Sequence, residues 1–218
     1  IRARTFSLIF SSLLLLLYAC RSAEANSTTA SVVYDAQKQG VFDIADLSGQ
    51  GSFTGGGLNT PIWLTPDPRT QQSSSMGGKV GRLLYRNPLT SITSFHTSFR
   101  FQFITTDPQQ GGDGMAFFIS PLHSILENSA GGYLGIANAT LNATDPSRHL
   151  FAVEFDTYQN TQAQDINDNH VGININSMVS AEAKEAGYWV NENVKKGIEL
   201  KSGQITQAWI DYDGPSDV

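Results

Sequence analysis

EFDTYQNTQAQDINDNH, residues 154–170, brings Glu154, Asp156, Asn160, Asp165 and His170 into one short stretch. Its flanks, FAV at 151–153 and VGININ at 171–176, alternate as β-strands do. Alternation predicts Glu154 and Asp156 on one face, with Phe151, Val153 and Phe155 on the other. Two carboxylates on the same side of a strand repel each other unless a cation lies between them. The loop then supplies an amide, a further carboxylate and an imidazole. Oxygen donors suit a hard cation such as calcium. One imidazole among carboxylates suits a transition ion such as manganese or zinc. The pattern predicts a hairpin built around two adjacent metal ions.

Residues 1–25 have the layout of a secretory signal peptide: Arg2 and Arg4, an apolar run over 8–18, and the AEA cleavage pattern at 23–25. That run is short for a bilayer span, which needs about twenty apolar residues. Residues 26–218 then suit one domain. The single cysteine, Cys20, falls in the leader, so the processed chain is expected to hold no disulfide. Cleavage removes Arg2, Arg4, Arg21 and Glu24 and takes the formal charge from −6 to −8. An acidic chain with no basic stripe argues against nucleic acid or an anionic membrane as partner. Sequons at Asn26, Asn138 and Asn142 predict N-glycosylation in the secretory pathway.

The rest of the domain reads as β-rich. FHTSFRFQF at 95–103 puts Phe95, Phe99, Phe101 and Phe103 on one face of a half-buried strand. MAFFIS at 115–120 is a continuously apolar strand, expected near the middle of a sheet. Residues 150–156, 170–176 and 205–212 predict further strands. Turn-forming clusters at 55–57, 65–68, 107–112 and 145–146 separate them. Many strands so punctuated predict an all-β sandwich of antiparallel sheets. SAEAKEAG at 180–187 reads as a helical turn or a loop, and the turn at 213–215 predicts a partner strand beyond residue 218.

At this point the motifs resemble the legume (L-type) lectins. FAVEFDTYQN (151–160) with DINDNHVGININS (165–177) looks like their metal-binding region. GGDGMAFFISP (111–121) and GGYLG (131–135) look like two of their sugar-site loops, and VGRLLY (80–85) and TSFRF (97–101) like their earlier strands. The DINDNH wording is similar to the ectodomains of plant lectin receptor-like kinases. The resemblance implies a concanavalin-like β-sandwich, with its fourth sugar loop and last strands expected beyond residue 218. It also implies one Mn2+ beside one Ca2+. Glu154 and His170 would serve manganese, Asp156 and Asp165 both ions, and Asn160 and the Tyr158 carbonyl calcium. Ser180 matches the serine that holds a manganese-bound water. For the sugar, Asp113 would accept hydrogen bonds from two hydroxyls, Asn160 and the Gly132 N–H would donate, and the Tyr158 ring would stack. The resemblance further implies a cis peptide between Gly112 and Asp113.

Two other chemistries compete for the same residues. Carboxylates at i and i+2 also serve β-sandwich glycosidases, but Tyr158 and Gln159 stand where a last glutamate belongs. DINDN opens like an EF-hand loop, yet His170 replaces the turn glycine and Asn176 the final glutamate. The expectation is therefore a non-catalytic, metal-dependent lectin that binds glycans or glycoproteins weakly and reversibly. It would be secreted or displayed on the extracellular face of the plasma membrane, and oligomeric when full length, with a membrane anchor and kinase possible in a longer gene product. The alternative is a member of the same fold with a storage, defence or receptor-interaction role and no sugar binding.

Overall fold

Phe95, Phe99, Phe101 and Phe103, on one face of the 95–103 stretch, need an apolar partner surface, and residues 151–155 supply it. A computed structural model describes residues 78–84, 92, 94–105, 111–141 and 144–214, together with short segments at 2–4, 16–20, 31–35, 52–53, 62–65 and 67. The strands are β1 (Arg2–Arg4), β2 (Leu16–Cys20), β3 (Ser31–Asp35), β4 (Ser52–Phe53), β5 (Ile62–Trp63), β6 (Ser94–Phe101) and β7 (Gly114–Ile119). They continue with β8 (Phe151–Asp156), β9 (His170–Ile175), β10 (Glu182–Glu185), β11 (Gly187–Asn191), β12 (Val194–Gly197) and β13 (Thr206–Asp213). Between them lie single 3-10 turns, and the described residues contain no α-helix. The chain is all-β, as expected.

One antiparallel sheet runs β1-β13-β6 and another β10-β9-β8-β7. They meet through Phe95 and Phe99 of β6, Val153 and Phe155 of β8, and Ala208 and Ile210 of β13. The Phe155 ring meets Phe99 edge-on at 5.8 Å between centroids and lies 4.7 Å from Phe101. Aromatic edge-to-face contacts stabilise beyond their buried area. Phe155→Ala is expected to destabilise the chain by ~3–5 kcal/mol, read from urea unfolding at fixed metal concentration.

The other face of the second sheet carries Ala152 and Phe118 beneath Ile136, Ala137 and Leu150. Buried Arg82 lies over the Phe118 ring at 4.5 Å and donates to the Ser124 carbonyl at 2.5 Å. It thereby braces the coil before residues 131–135 against the sheet.

Two readings change. Residues 182–185 form a strand, not a helical turn. Pairing of Glu185 with His170 and Ala183 with Gly172 overrides the helix propensity of Ala, Glu and Lys. Within the described sheet β7 is an edge strand, and its unbroken apolarity has another cause. Met115, Phe117 and Ile119 face the aromatic core while Ala116 and Phe118 face the second cluster. On the exposed face of the first sheet, His96 and Asp211 are cross-strand neighbours joined at 2.5 Å. The leader reading falls largely outside the described residues; within it only Arg2–Arg4 and Leu16–Cys20 are described, as strands. The sequons at Asn26 and Asn142 and the glycine run at 55–57 also lie outside the described residues. No helix among the described residues is long and apolar enough to cross a membrane.

Candidate functional site

The β8–β9 register builds the site. Asp156 pairs with His170, Glu154 with Gly172, and Ala152 with Asn174. Directly opposed residues of an antiparallel pair project to the same side, so Glu154, Asp156, His170 and Asn174 share one face, opposite the aromatic core. All four are buried. Gly172 is required here: a Cβ at this position would overlap Ser180 Oγ and Glu154 Oε1.

Each candidate ligand is held from behind. His170 Nδ1 donates to the Asn167 carbonyl at 2.9 Å, which turns Nε2 inward. Nε2 lies 3.4 Å from Glu154 Oε1 and 3.8 Å from Asp165 Oδ1. Ligand atoms of Glu154, Asp165 and His170 fall within 4.8 Å of one another. Ser180 donates to Glu154 Oε1 at 2.5 Å and Asn174 Nδ2 to Glu154 Oε2 at 2.9 Å. Asp165 Oδ2 accepts the Asn160 N–H at 2.6 Å, and Asp156 Oδ1 accepts the Tyr158 N–H at 2.8 Å. One oxygen of each of these two aspartates thus stays available.

The electrostatics are those of anions in want of a cation. Burial, with the Asp165 and Glu154 charges, outweighs the Tyr158 N–H bond and pushes Asp156 up to about 7. Burial likewise raises Asp165. Burial pulls His170 down, but the Glu154 bond, the Asp156 charge and the Asn167 bond outweigh it and leave the imidazole raised. The donor set fits both implied ions. An inward Nε2 with two carboxylates suits manganese. Asp156, Asp165 and the Asn160 and Tyr158 oxygens suit calcium.

A pH dependence follows for the metal-free protein. Asp156 prefers its proton in the folded state, so its stabilising contribution is complete below its ordinary 3.8 and is lost as pH rises through about 7. Raised His170 acts in the same sense: its contribution is complete below 6.5 and is lost as pH rises through its folded value. The thermal midpoint without metal is therefore expected to fall as pH rises from about 4 through about 7. Calcium and manganese, which take the deprotonated ligands, should reverse that fall. Calorimetric scans across this range check both.

The proposed sugar residues converge beside this cluster of carboxylates and imidazole. Asn160 Nδ2 donates to Asp113 Oδ1 and to the Tyr158 carbonyl, each at 3.3 Å. A Cβ on Gly132 would come within 2.8–2.9 Å of the Asn160 side-chain amide, so glycine lets the 131–133 turn close over it. The Tyr158 ring is half exposed. The Gly112–Asp113 peptide is trans, contrary to the expected cis bond. Positive φ at Gly111 (46°) and Gly114 (136°) makes the turn instead.

Sequence reasoning passed over Asn174, Thr157, Asn169 and Lys201. Asn174 had a signal: it is a polar side chain on the buried face of β9, in step with His170 and Gly172. Thr157 joins the loops, its N–H to the Asp113 carbonyl at 2.9 Å and its hydroxyl to the Gly112 carbonyl. Asn138, in its sequon, accepts from the Thr140 N–H and hydroxyl at 3.0 and 2.7 Å.

The profile of the legume lectin domain matches residues 24–218. A lectin-like protein of Arabidopsis thaliana is 44% identical over 148 residues, covering 64% of this chain and 53% of that protein. The L-type lectin-domain containing receptor kinase I.8 of the same plant is 40% identical over 141 residues, covering 62% of this chain and 21% of the kinase. The chain thus spans about half the length of the first of these relatives and about a fifth of the second. Among solved structures, metal-free lectin I-B4 of Griffonia simplicifolia matches at TM-score 0.58 and 32% identity, over 82% of this chain and 72% of that one. The Bauhinia forficata lectin, in complex with GalNAc, matches at 0.57 and 27%, over 82% and 71%. The sheets are those of a concanavalin-like β-sandwich, and the chain belongs to the legume lectin domain family.

Proposed function

We propose that this chain is a non-catalytic lectin domain that binds glycans reversibly through Asp113, Gly132, Asn160 and Tyr158, with binding conditional on Ca2+ and Mn2+. The observation that carries the reading is the Asn160 amide. It lies against Asp113 on one side and the Tyr158 carbonyl on the other, and its own N–H holds Asp165. One residue therefore belongs to both the ion set and the sugar set. The ions would be held by Glu154, Asp156, Asp165 and His170 with the Asn160 and Tyr158 oxygens, and Ser180 steadies Glu154. Their bound charge neutralises the buried carboxylates and fixes the loop that carries Asn160.

A shallow polar site exchanges water hydrogen bonds for similar ones, so affinity per site is weak and useful binding depends on multivalency. That favours an oligomer or clustering on a surface. We place the domain outside the cell, secreted or at the plasma membrane. Residues 1–25 would be its leader, and Asn26, Asn138 and Asn142 would carry N-glycans. The kinase relatives suggest a receptor context with a membrane anchor in a longer product. A multivalent glycan array on metal-loaded protein tests the reading. Binding to a defined set of glycans is the expected result; none at high valency would favour a storage, defence or receptor-interaction role instead, and release of reducing sugar would indicate a hydrolase.

A further inference from the structure

Lys201 lies in the 3-10 turn Leu200–Ser202 between β12 and β13, far in sequence from every residue proposed to touch ion or sugar. Its side chain is 8% exposed, and its Nζ donates to Asp168 Oδ2 at 2.6 Å. Asp168 stands two residues before His170 in the metal hairpin. The lysine stem lies along the backbone of the other loop: a Cβ on Gly111 would come within 2.6 Å of Lys201 Cδ.

Neighbouring bonds fix the same turn. Asn169 Oδ1 accepts the Leu200 N–H at 2.9 Å, and Asn169 Nδ2 donates to the Ile198 carbonyl at 2.8 Å. On its far side the 111–113 loop is tied to Thr157, which follows Asp156 directly. The loop that carries Asp113 is thus clamped between the residue after one ion ligand and a lysine bonded just before another. A buried side chain with its head on one loop and its stem on a second moves with both or with neither.

We propose that Lys201 is a positioning residue that ties the Asp113 loop to the metal hairpin, so that ordering of the hairpin by metal also fixes the sugar-binding carboxylate. This rests on the glycan reading only for its functional consequence. The tie itself is a property of the two loops.

Hydrogen–deuterium exchange with and without calcium and manganese tests it in the wild-type chain, Lys201→Met, Lys201→Arg and Asp168→Ala. In wild type, metal is expected to slow exchange at both 111–115 and 165–170. Lys201→Met and Asp168→Ala should keep the slowing at 165–170 and lose most of it at 111–115, with Lys201→Arg restoring it. The calcium concentration that half-restores glycan binding should rise about three- to tenfold in the two uncoupled variants. Wild-type slowing of both segments in Asp168→Ala overturns the proposal. That variant removes a half-exposed carboxylate and so decides the matter even if Lys201→Met does not fold. Coupled exchange in a wild-type chain that binds no glycan refutes the functional reading and leaves the tie standing.

Discussion

Replacing Asp113 with alanine is expected to abolish measurable glycan binding while leaving fold and metal affinity in place. Hydrogen bonds to a charged group contribute ~1.5–3 kcal/mol each, and Asp113 is proposed to accept two. Their loss amounts to about a hundredfold or more, which takes a weak site out of range. The fold does not depend on this carboxylate. The loop is anchored through backbone groups, with the Asp113 carbonyl taking the Thr157 N–H and the Gly112 carbonyl the Thr157 hydroxyl. Burial is the main cause that raises Asp165 and the Asp113 charge the least, so removing it changes this candidate ligand little. Glycan titration beside metal titration separates the two effects. Glycan affinity equal to wild type would remove Asp113 from the site.

Gly172→Val is expected to strike metal binding and stability together. Gly172 pairs with Glu154 on one side and Ala183 on the other, so β9 has no room to retreat. Any side chain here meets Ser180 Oγ and Glu154 Oε1. The Glu154 carboxylate is pinned by Ser180 and by fully buried Asn174, and it leaves only by breaking both bonds. Overpacking costs ~1–3 kcal/mol, and each polar group left unsatisfied adds ~1–3 kcal/mol. Metal affinity should fall at least 10–100-fold, the range seen when the groups orienting a ligand are lost. Unfolding midpoints with and without calcium and manganese measure both, and wild-type metal stabilisation in this variant would contradict the geometry described.

The hairpin was readable because β-strand alternation is a strict code. Once residues 151–156 and 170–175 are strands, a two-residue period fixes which side chains share the face opposite the aromatic core. The aromatic side of β6 was readable for the same reason. What alternation cannot convey is depth and pairing. Nothing local marks Gly172 as the space that Glu154 occupies, since that depends on register across strands. Residues 182–185 have the composition of a helix and become a strand because β9 offers an edge. Lys201 resembles a surface lysine until the 3-10 turn brings it under Gly111. The expected cis peptide came from the resemblance alone, and the glycines at 111 and 114 provide another way around the turn.

If ions and sugar share one site through Asn160, calorimetric titration of an array-identified glycan into the full chain will show it. The titration is run once loaded with calcium and manganese and once after exhaustive dialysis against EDTA. Saturable binding to the loaded protein, none to the stripped protein, and recovery when the two ions are restored are the expected results. Undiminished binding after stripping, with metal content verified as nil, would contradict a shared site.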